Sequence, residues 1–298
     1  MARYFITGGS GFVGTAIVSN LLSHNHKVLA LARSDESAAK LTAAGASVIR
    51  GDLTDLESLK TGASQCDGTI HAGFVINFSD PSKSLDIDHE AMKAIADVYE
   101  GTGKPLIYTN GSLGLDIPRG VEAKDETYRE DTIGGVFGRR IQIENWVLDL
   151  KDRGIRSMSV RLSPSVHGEN DHQFVPFMIK CGHDNGFFAY PGDGENLWTA
   201  VNKDDAANLY RLAMEKGESG CSYHACAEWI SVKQIAEILA KKFGLDAKSV
   251  PVEEIGKYLS FLEAFITLNA PVKTDITRST LGWEPVGPTL EQDIEKYY

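Results

Sequence analysis

The stretch Thr7-Gly8-Gly9-Ser10-Gly11-Phe12-Val13-Gly14 carries the clearest chemical signature in this sequence. Gly8, Gly11 and Gly14 recur at every third position, and Gly9, Gly11 and Gly14 fit the alternative spacing G-x-G-x-x-G. Glycines at such intervals serve three needs: a tight turn, the approach of main-chain N–H groups to a pyrophosphate, and close packing of a helix on a strand. The apolar run Tyr4-Phe5-Ile6 precedes the loop, and a helical pattern starts at Phe12. Such a helix points its positive N-terminus at the phosphates. Gly8, Gly9, Ser10, Gly11, Phe12, Val13 and Gly14 are therefore expected to bind a nicotinamide dinucleotide.

Which dinucleotide depends on the next apolar run. An acid about 20 residues beyond the glycines would hold a ribose 2′-hydroxyl. Here the run ends Ala30-Leu31-Ala32-Arg33-Ser34, with Ala32 or Arg33 in that place. A guanidinium pairs bidentately with a 2′-phosphate, so NADP(H) is the preferred cofactor, with Arg33 and Ser34 as its readers. Asp35 and Glu36 stand close enough to permit NAD(H). Asp52-Leu53 follows the third run, where the carboxylate either accepts from the adenine amino group or caps the helix that begins near Asp55. Ala72, Gly73 and Phe74 follow the fourth run, and their small members let the main chain pass close to the cofactor.

These residues need a scaffold. Apolar runs at 4–7, 28–32, 47–49, 69–71, 105–109 and 155–162 alternate with helical patterns at 12–22, 37–44, 89–100 and 136–153. Strands separated by helices imply parallel βαβ units with right-handed crossovers. The expected fold is α/β, a Rossmann-type doubly wound parallel sheet of order 3-2-1-4-5-6, with a smaller C-terminal substrate-binding portion. After Leu162 prolines and glycines break the rhythm, and helical patterns return at 204–216 and 231–243. The expected division is a dinucleotide-binding domain over 1–165 and a mainly substrate-binding portion over 166–298, with about 197–216 returning to the first.

Bulk properties exclude several functions. A net charge of −11 without a basic stripe argues against nucleic acid. No apolar run reaches the roughly 20 residues of a membrane helix, and the N-terminal run is too short for a signal peptide. Four scattered cysteines suit reduced thiols, so a cytoplasmic location is expected. No metal is expected. Cys221, His224 and Cys226 lie in a run that reads as a strand, which would turn residues 221 and 226 to opposite faces. Gly192-Asp193-Gly194-Glu195-Asn196 reads as a tight turn lacking the further carboxylates of a calcium loop. Trp198 and Phe187-Phe188 either wall a substrate pocket or pack in a core.

Taken together, the chain resembles the short-chain dehydrogenase/reductase superfamily, in its extended or atypical branch. The resemblance rests on 7–14, Gly51-Asp52-Leu53, Tyr108-Thr109-Asn110-Gly111-Ser112, the stretch Arg161 to Gly168, Val201 to Ala206, and Leu281-Gly282-Trp283-Glu284-Pro285. It implies that Leu162, Ser163, Ser165 and Val166 join Thr109 and Arg140 around the nicotinamide. It also implies a serine after the fifth strand and a Tyr-x-x-x-Lys pair on the next long helix. Aligned on Glu144, that helix places Val136 where the tyrosine belongs and Arg140 where the lysine belongs. Gly111 and Ser112 compete for the serine position. Relatives of this kind pair through the fourth helix and the 136–153 helix, so a monomer or homodimer is expected.

The catalytic set expected from these positions is Ser112, Thr109 and Arg140. Ser112 or Thr109 would hydrogen-bond the substrate oxygen. Arg140 would hold the nicotinamide ribose and stabilise a developing alkoxide with its fixed charge, though its pKa is too high to donate a proton. The proton would come from water, from Tyr128 or Tyr190, or from a loop histidine, His167 or His172. The expected activity is NAD(P)H-dependent reduction of a small carbonyl compound, an aldehyde foremost. A sugar-nucleotide epimerase or dehydratase and a non-catalytic NADP(H) sensor are the alternatives.

Overall fold

A computed structural model describes residues 1–75, 77, 80–130 and 133–298. The first half runs Arg3–Thr7 (β1), Phe12–Ser23 (α1), Lys27–Ala32 (β2), Asp35–Ala43 (α2), Ser47–Arg50 (β3), Leu56–Ser64 (α3), Gly68–His71 (β4), Pro81–Tyr99 (α4), Pro105–Gly111 (β5), Gly135–Asp149 (α5) and Arg156–Leu162 (β6). The second half runs Ser165–His167 (β7), Phe174–Asn185 (α6), Phe187–Pro191 (β8), Leu197–Asn202 (β9), Lys203–Lys216 (α7), Cys221–Ala225 (β10), Glu228–Ser231 (β11), Val232–Phe243 (α8), Asp246–Val250 (β12), Ile255–Leu259 (α9), Glu263–Ile266 (α10), Asp275–Leu281 (α11) and Leu290–Tyr297 (α12).

The main sheet has seven strands, all parallel, in the order β3-β2-β1-β4-β5-β6-β10. This is the expected order extended by one edge strand. Period-two alternation divides its side chains between two layers. Tyr4, Ile6, Val28, Ala30 and Ile107 pack with Ile17 and Leu21 of α1 and Leu209 and Tyr210 of α7. Phe5, Leu29, Leu31, Leu106 and Tyr108 face the other way, onto Leu59 of α3, Ile95 of α4 and Val147 of α5. Helices therefore cover both faces, as an all-parallel sheet requires.

Helix α4 begins eight positions before the expected start at residue 89. Pro81 occupies its first turn, and the Asp80 side chain accepts from the Lys83 N–H. The polar opening Ser82-Lys83-Ser84 carries no apolar period, so only these start signals mark it. The C-terminal portion forms its own core around Val175, Trp198, Ile235, Leu239, Ile255 and Leu290. It contains a three-stranded sheet, β11-β9-β7, and the parallel pair β12-β8. Helix α7 packs back on the main sheet, as do β10 and Trp283, which lie outside the 197–216 stretch. Among the described residues no helix is long and apolar enough to cross a membrane.

Candidate functional site

The carboxyl ends of the parallel strands open on a cleft of about 860 Å³. Its floor is the glycine loop. Gly8 has φ +71, and a Cβ there would lie 2.6 Å from the Ala72 carbonyl and Gly73 Cα. A Cβ on Gly14 would lie 2.0 Å from the Gly8 oxygen. The 8-11-14 spacing is thus the one that the turn and the close helix approach require. Gly9 does not line the cleft: a Cβ there would touch Leu41, Val18 and Ala30, so it packs the loop on its scaffold. Helix α1 starts at Gly11 with no side-chain cap, which leaves its first-turn N–H groups for an anion. The cradle fits a pyrophosphate.

A buried chain of polar groups braces this loop. The Gly73 N–H donates to Thr7 Oγ1, which lies 2.9 Å from His71 Nδ1. His71 Nε2 lies 3.0 Å from Asp88 Oδ1, and the Tyr108 hydroxyl donates to Asp88 Oδ2. A carboxylate can only accept, so Nε2 carries the proton and Thr7 donates to Nδ1. Burial alone would raise the Asp88 carboxyl, but the hydrogen bond from His71 holds it below its ordinary range.

At the adenosine end, Arg33, Ser34, Ser37, Lys40 and Asp52 all face the cleft. Arg33 is exposed, and its charge acts on the neighbouring Asp52 carboxylate. The Ser34 hydroxyl is committed elsewhere, capping α2 through the Ser37 N–H. Lys40, which the sequence did not single out, bonds the Ser10 carbonyl at 2.9 Å and so stands beside the loop. Asp52 Oδ1 accepts from the Thr54 hydroxyl and N–H, which lowers its pKa. The cap of α3 is Asp55, so Asp52 closes the preceding turn instead.

At the far end, Ala72, Gly73, Phe74, Thr109, Leu162, Ser163 and Val166 line the cleft. Ser165 does not: it is buried where β7 pairs with β9. Ser112 is also displaced from its expected role. It is 1% exposed and bonds Thr199 Oγ1 at 3.2 Å, beneath the cleft surface. A Cβ on Gly111 would meet nothing within 4 Å. Gly111, not Ser112, therefore ends β5 on open space, and no hydroxyl stands there. Thr109 reaches the cleft, but its Oγ1 shares a hydrogen bond with the buried Tyr210 hydroxyl at 2.8 Å.

Arg140 sits behind the cleft wall, stacked over the Phe74 ring at 4.3 Å. Its Nε donates to Asn110 Oδ1 and its Nη2 to the Thr109 carbonyl, both at 3.0 Å. Both acceptors are neutral, and the carboxylate that feels its charge is the buried Asp88, which does not hydrogen-bond it. Arg139, by contrast, pairs with Asp86 of α4. Asn110 is held in turn: its Nδ2 donates to the fully buried Glu144. Glu144 also accepts from Arg161 Nε at 2.9 Å and from the Ser159 hydroxyl. Burial opposes ionisation of Glu144, but these partners bring its pKa below the ordinary value. Asn110 belongs to the stretch 108–112 that ends β5, yet an amide carries no signal of its own until its neighbours are known.

Arg161 Nη1 lies 3.2 Å from His224 Nε2, and His224 Nδ1 lies 2.7 Å from the Lys273 carbonyl. His224 therefore accepts from Arg161 and donates to the carbonyl, with both ring nitrogens occupied. Burial first, then the Arg161 charge, depresses its pKa to about 3. A histidine depressed below its unfolded value near 6.5 stabilises the fold above that value and loses the contribution as pH falls toward the folded one. Stability is expected to drop by about 1.4 kcal/mol per pH unit below about 6.5 on this account. His89, also depressed mainly by burial, adds with the same sign. Urea unfolding at pH 7, 6 and 5 checks this, and His224→Gln should flatten the slope. An unchanged slope in that variant would assign it to other groups.

The remaining proton-donor candidates separate clearly. His167 is buried and bonds Asp293 at 2.6 Å, a structural clasp on α12. Tyr128 bonds Glu130, and neither Tyr128 nor Tyr190 lines the cleft. His172 is exposed, lines the cleft and meets the Phe12 ring edge-on. Trp198 and Phe188 lie in the C-terminal core, and Phe187 packs on Tyr258. None of the three forms a wall of the cleft.

Comparison with known proteins agrees with this geometry. Residues 4–226 match the family described as NAD dependent epimerase/dehydratase. The chain belongs to that family. It is thus an NAD(P)-dependent oxidoreductase of the short-chain type, as the sequence resemblance implied. An uncharacterized protein of Saccharomyces cerevisiae is 40% identical over 99% of this chain and 99% of its own length. A farnesyl-dihydroquinoline-oxide ketoreductase of Stigmatella aurantiaca is 28% identical, covering 74% of this chain and 67% of its own. The UDP-glucose 4-epimerase of Thermus thermophilus, solved with NAD, superposes with a TM-score of 0.77 at 18% identity, over 98% of this chain and 96% of that one. That likeness shows the shared fold. The resemblance puts Val136 where a tyrosine is expected, and of the two candidates for the serine position Gly111 ends β5 on open space while Ser112 is buried.

Proposed function

We propose that this protein reduces carbonyl compounds, aldehydes foremost, using NADPH in preference to NADH. The observation that carries the reading is Arg140: a guanidinium fixed by two neutral acceptors and an aromatic face, with no carboxylate hydrogen-bonded to it, behind Phe74 at the far end of the cleft. A reduced nicotinamide, when bound, supplies the hydride. Arg140 stabilises the negative charge that gathers on the carbonyl oxygen, where a preorganised cation in a partly dry site acts strongly. Thr109 and Phe74 hold the far end of the cofactor against it. Since no phenol stands on α5, water entering the open cleft protonates the alkoxide. An aldehyde suits such a site because it is more electrophilic than a ketone. Relatives named as a ketoreductase and as a 2-alkyl-3-oxoalkanoate reductase also act on carbonyl groups. The test is oxidation of NADPH and NADH by purified protein across a panel of aliphatic and aromatic aldehydes. Turnover of none, with cofactor bound, would favour the sensor, which Gly111 and Val136 would equally suit.

The cofactor preference has its own test. Arg33 and Lys40 offer two cations where a 2′-phosphate would lie, and Glu36 lines the same end. A hydrogen bond to a charged group contributes about 1.5–3 kcal/mol, so Arg33→Ala is expected to raise the NADPH KM about tenfold to a hundredfold. The NADH KM should change little. An unchanged NADPH KM would remove Arg33 from the role.

A further inference from the structure

Beyond Arg140 stands a run of aromatic rings that cofactor binding does not use. Phe137 lies one turn before Arg140 on α5 and meets Phe265 of α10 edge-to-face, with ring centroids 5.6 Å apart. Phe265 meets Phe174, the first residue of α6, at 5.2 Å. All three are half-buried, while Trp198 behind Phe174 is fully buried. The front rings thus keep apolar surface outside the core. Both ends of the run adjoin the cleft: Gln173, next to Phe174, lines it, and Arg140 stacks on the cleft residue Phe74. Between them Gly111 opens on free space.

The charges around this region point the same way. The only arginine between residues 165 and 270 is Arg211, which bonds Asn20 and Glu215. The eight lysines of that stretch each bond a carboxylate or a main-chain carbonyl. A substrate bearing a diphosphate or carboxylate would therefore find each cation between residues 165 and 270 already partnered, with none free to replace its lost hydration. An apolar ring would lose water against three aromatic faces instead.

We infer that the substrate is an uncharged carbonyl compound with an apolar group of about ring size, seated on Phe137, Phe174 and Phe265 with its oxygen toward Arg140. The inference rests on the carbonyl-reductase reading for the orientation of the oxygen, but the apolar seat can be tested without turnover. Benzamide has the shape of an aromatic aldehyde and is not reduced. Calorimetric titration of the protein with NADPH present should show benzamide binding about tenfold tighter or more than acetamide, and tighter than 4-carbamoylbenzoate. Phe265→Ala and Phe137→Ala should each remove most of that preference, and Phe265→Leu should restore part of it at an unchanged melting temperature. No binding of benzamide, equal affinities, tighter binding of the charged analogue, or a preference intact in both alanine variants would overturn the inference. Benzamide selectivity without consumption of any aldehyde would sink the reductase reading alone, and aldehyde turnover without the selectivity would sink the apolar seat alone.

Discussion

Arg140→Ala is expected to lower kcat/KM for aldehyde reduction by about 100- to 1,000-fold, the cost of removing a preorganised group that meets developing negative charge. The protein should stay folded, because Arg140 is only half-buried and its partners keep other bonds: Asn110 stays tied to Glu144, and Thr109 stays within β5. Arg140→Lys should recover only part of the loss. A lysine carries the charge but lacks the planar fork that spans Asn110 Oδ1 and the Thr109 carbonyl, and it stacks less well on Phe74. Steady-state rates with NADPH, beside cofactor affinity by fluorescence titration, separate the two parts of the role. A loss confined to cofactor affinity would make Arg140 a ribose holder only. Unchanged rates would remove it from the reaction.

The parts of this site that sequence makes legible are those enforced by backbone geometry. Gly8 and Gly14 stand where any side chain would collide with main-chain atoms, so the spacing shows in the sequence. The sheet order was equally legible, because each strand carries apolar residues for two covered faces. Side-chain positions set by long-range contact were not. Ser112 looked like the reacting hydroxyl because residue type favours serine over Gly111, yet the turn into the next segment buries it against Thr199, 87 positions away. Ser34 looked free, but its hydroxyl is taken by the helix it caps. The rings that sequence singles out, Trp198 and Phe187-Phe188, lie on strands of the C-terminal portion, where Trp198 and Phe188 pack into its core and Phe187 rests half-buried against it. The half-buried run of Phe137, Phe174 and Phe265 is set on helices whose relative placement no local pattern reveals.

Glu144→Leu is expected to destabilise the protein by about 3–5 kcal/mol, the range for breaking a buried ion pair by removing one partner. Glu144 and Arg161 have fully buried side chains, so the leucine variant would strand the Arg161 guanidinium without its carboxylate and Ser159 without its acceptor. The damage also reaches the cleft. Asn110 would lose the bond that fixes its amide, and Asn110 Oδ1 is one of the two acceptors aiming Arg140. Aldehyde turnover should therefore fall even at temperatures where the variant remains folded, with kcat falling more than the NADPH affinity. Glu144→Leu combined with Arg161→Met removes both charges, and should recover much of the urea midpoint because an apolar pair of similar volume avoids the desolvation cost. It should not recover the rate, since Asn110 would still be untethered. Recovery of both would mean that Glu144 only balances a buried charge; recovery of stability alone would show that it also positions Arg140 through Asn110.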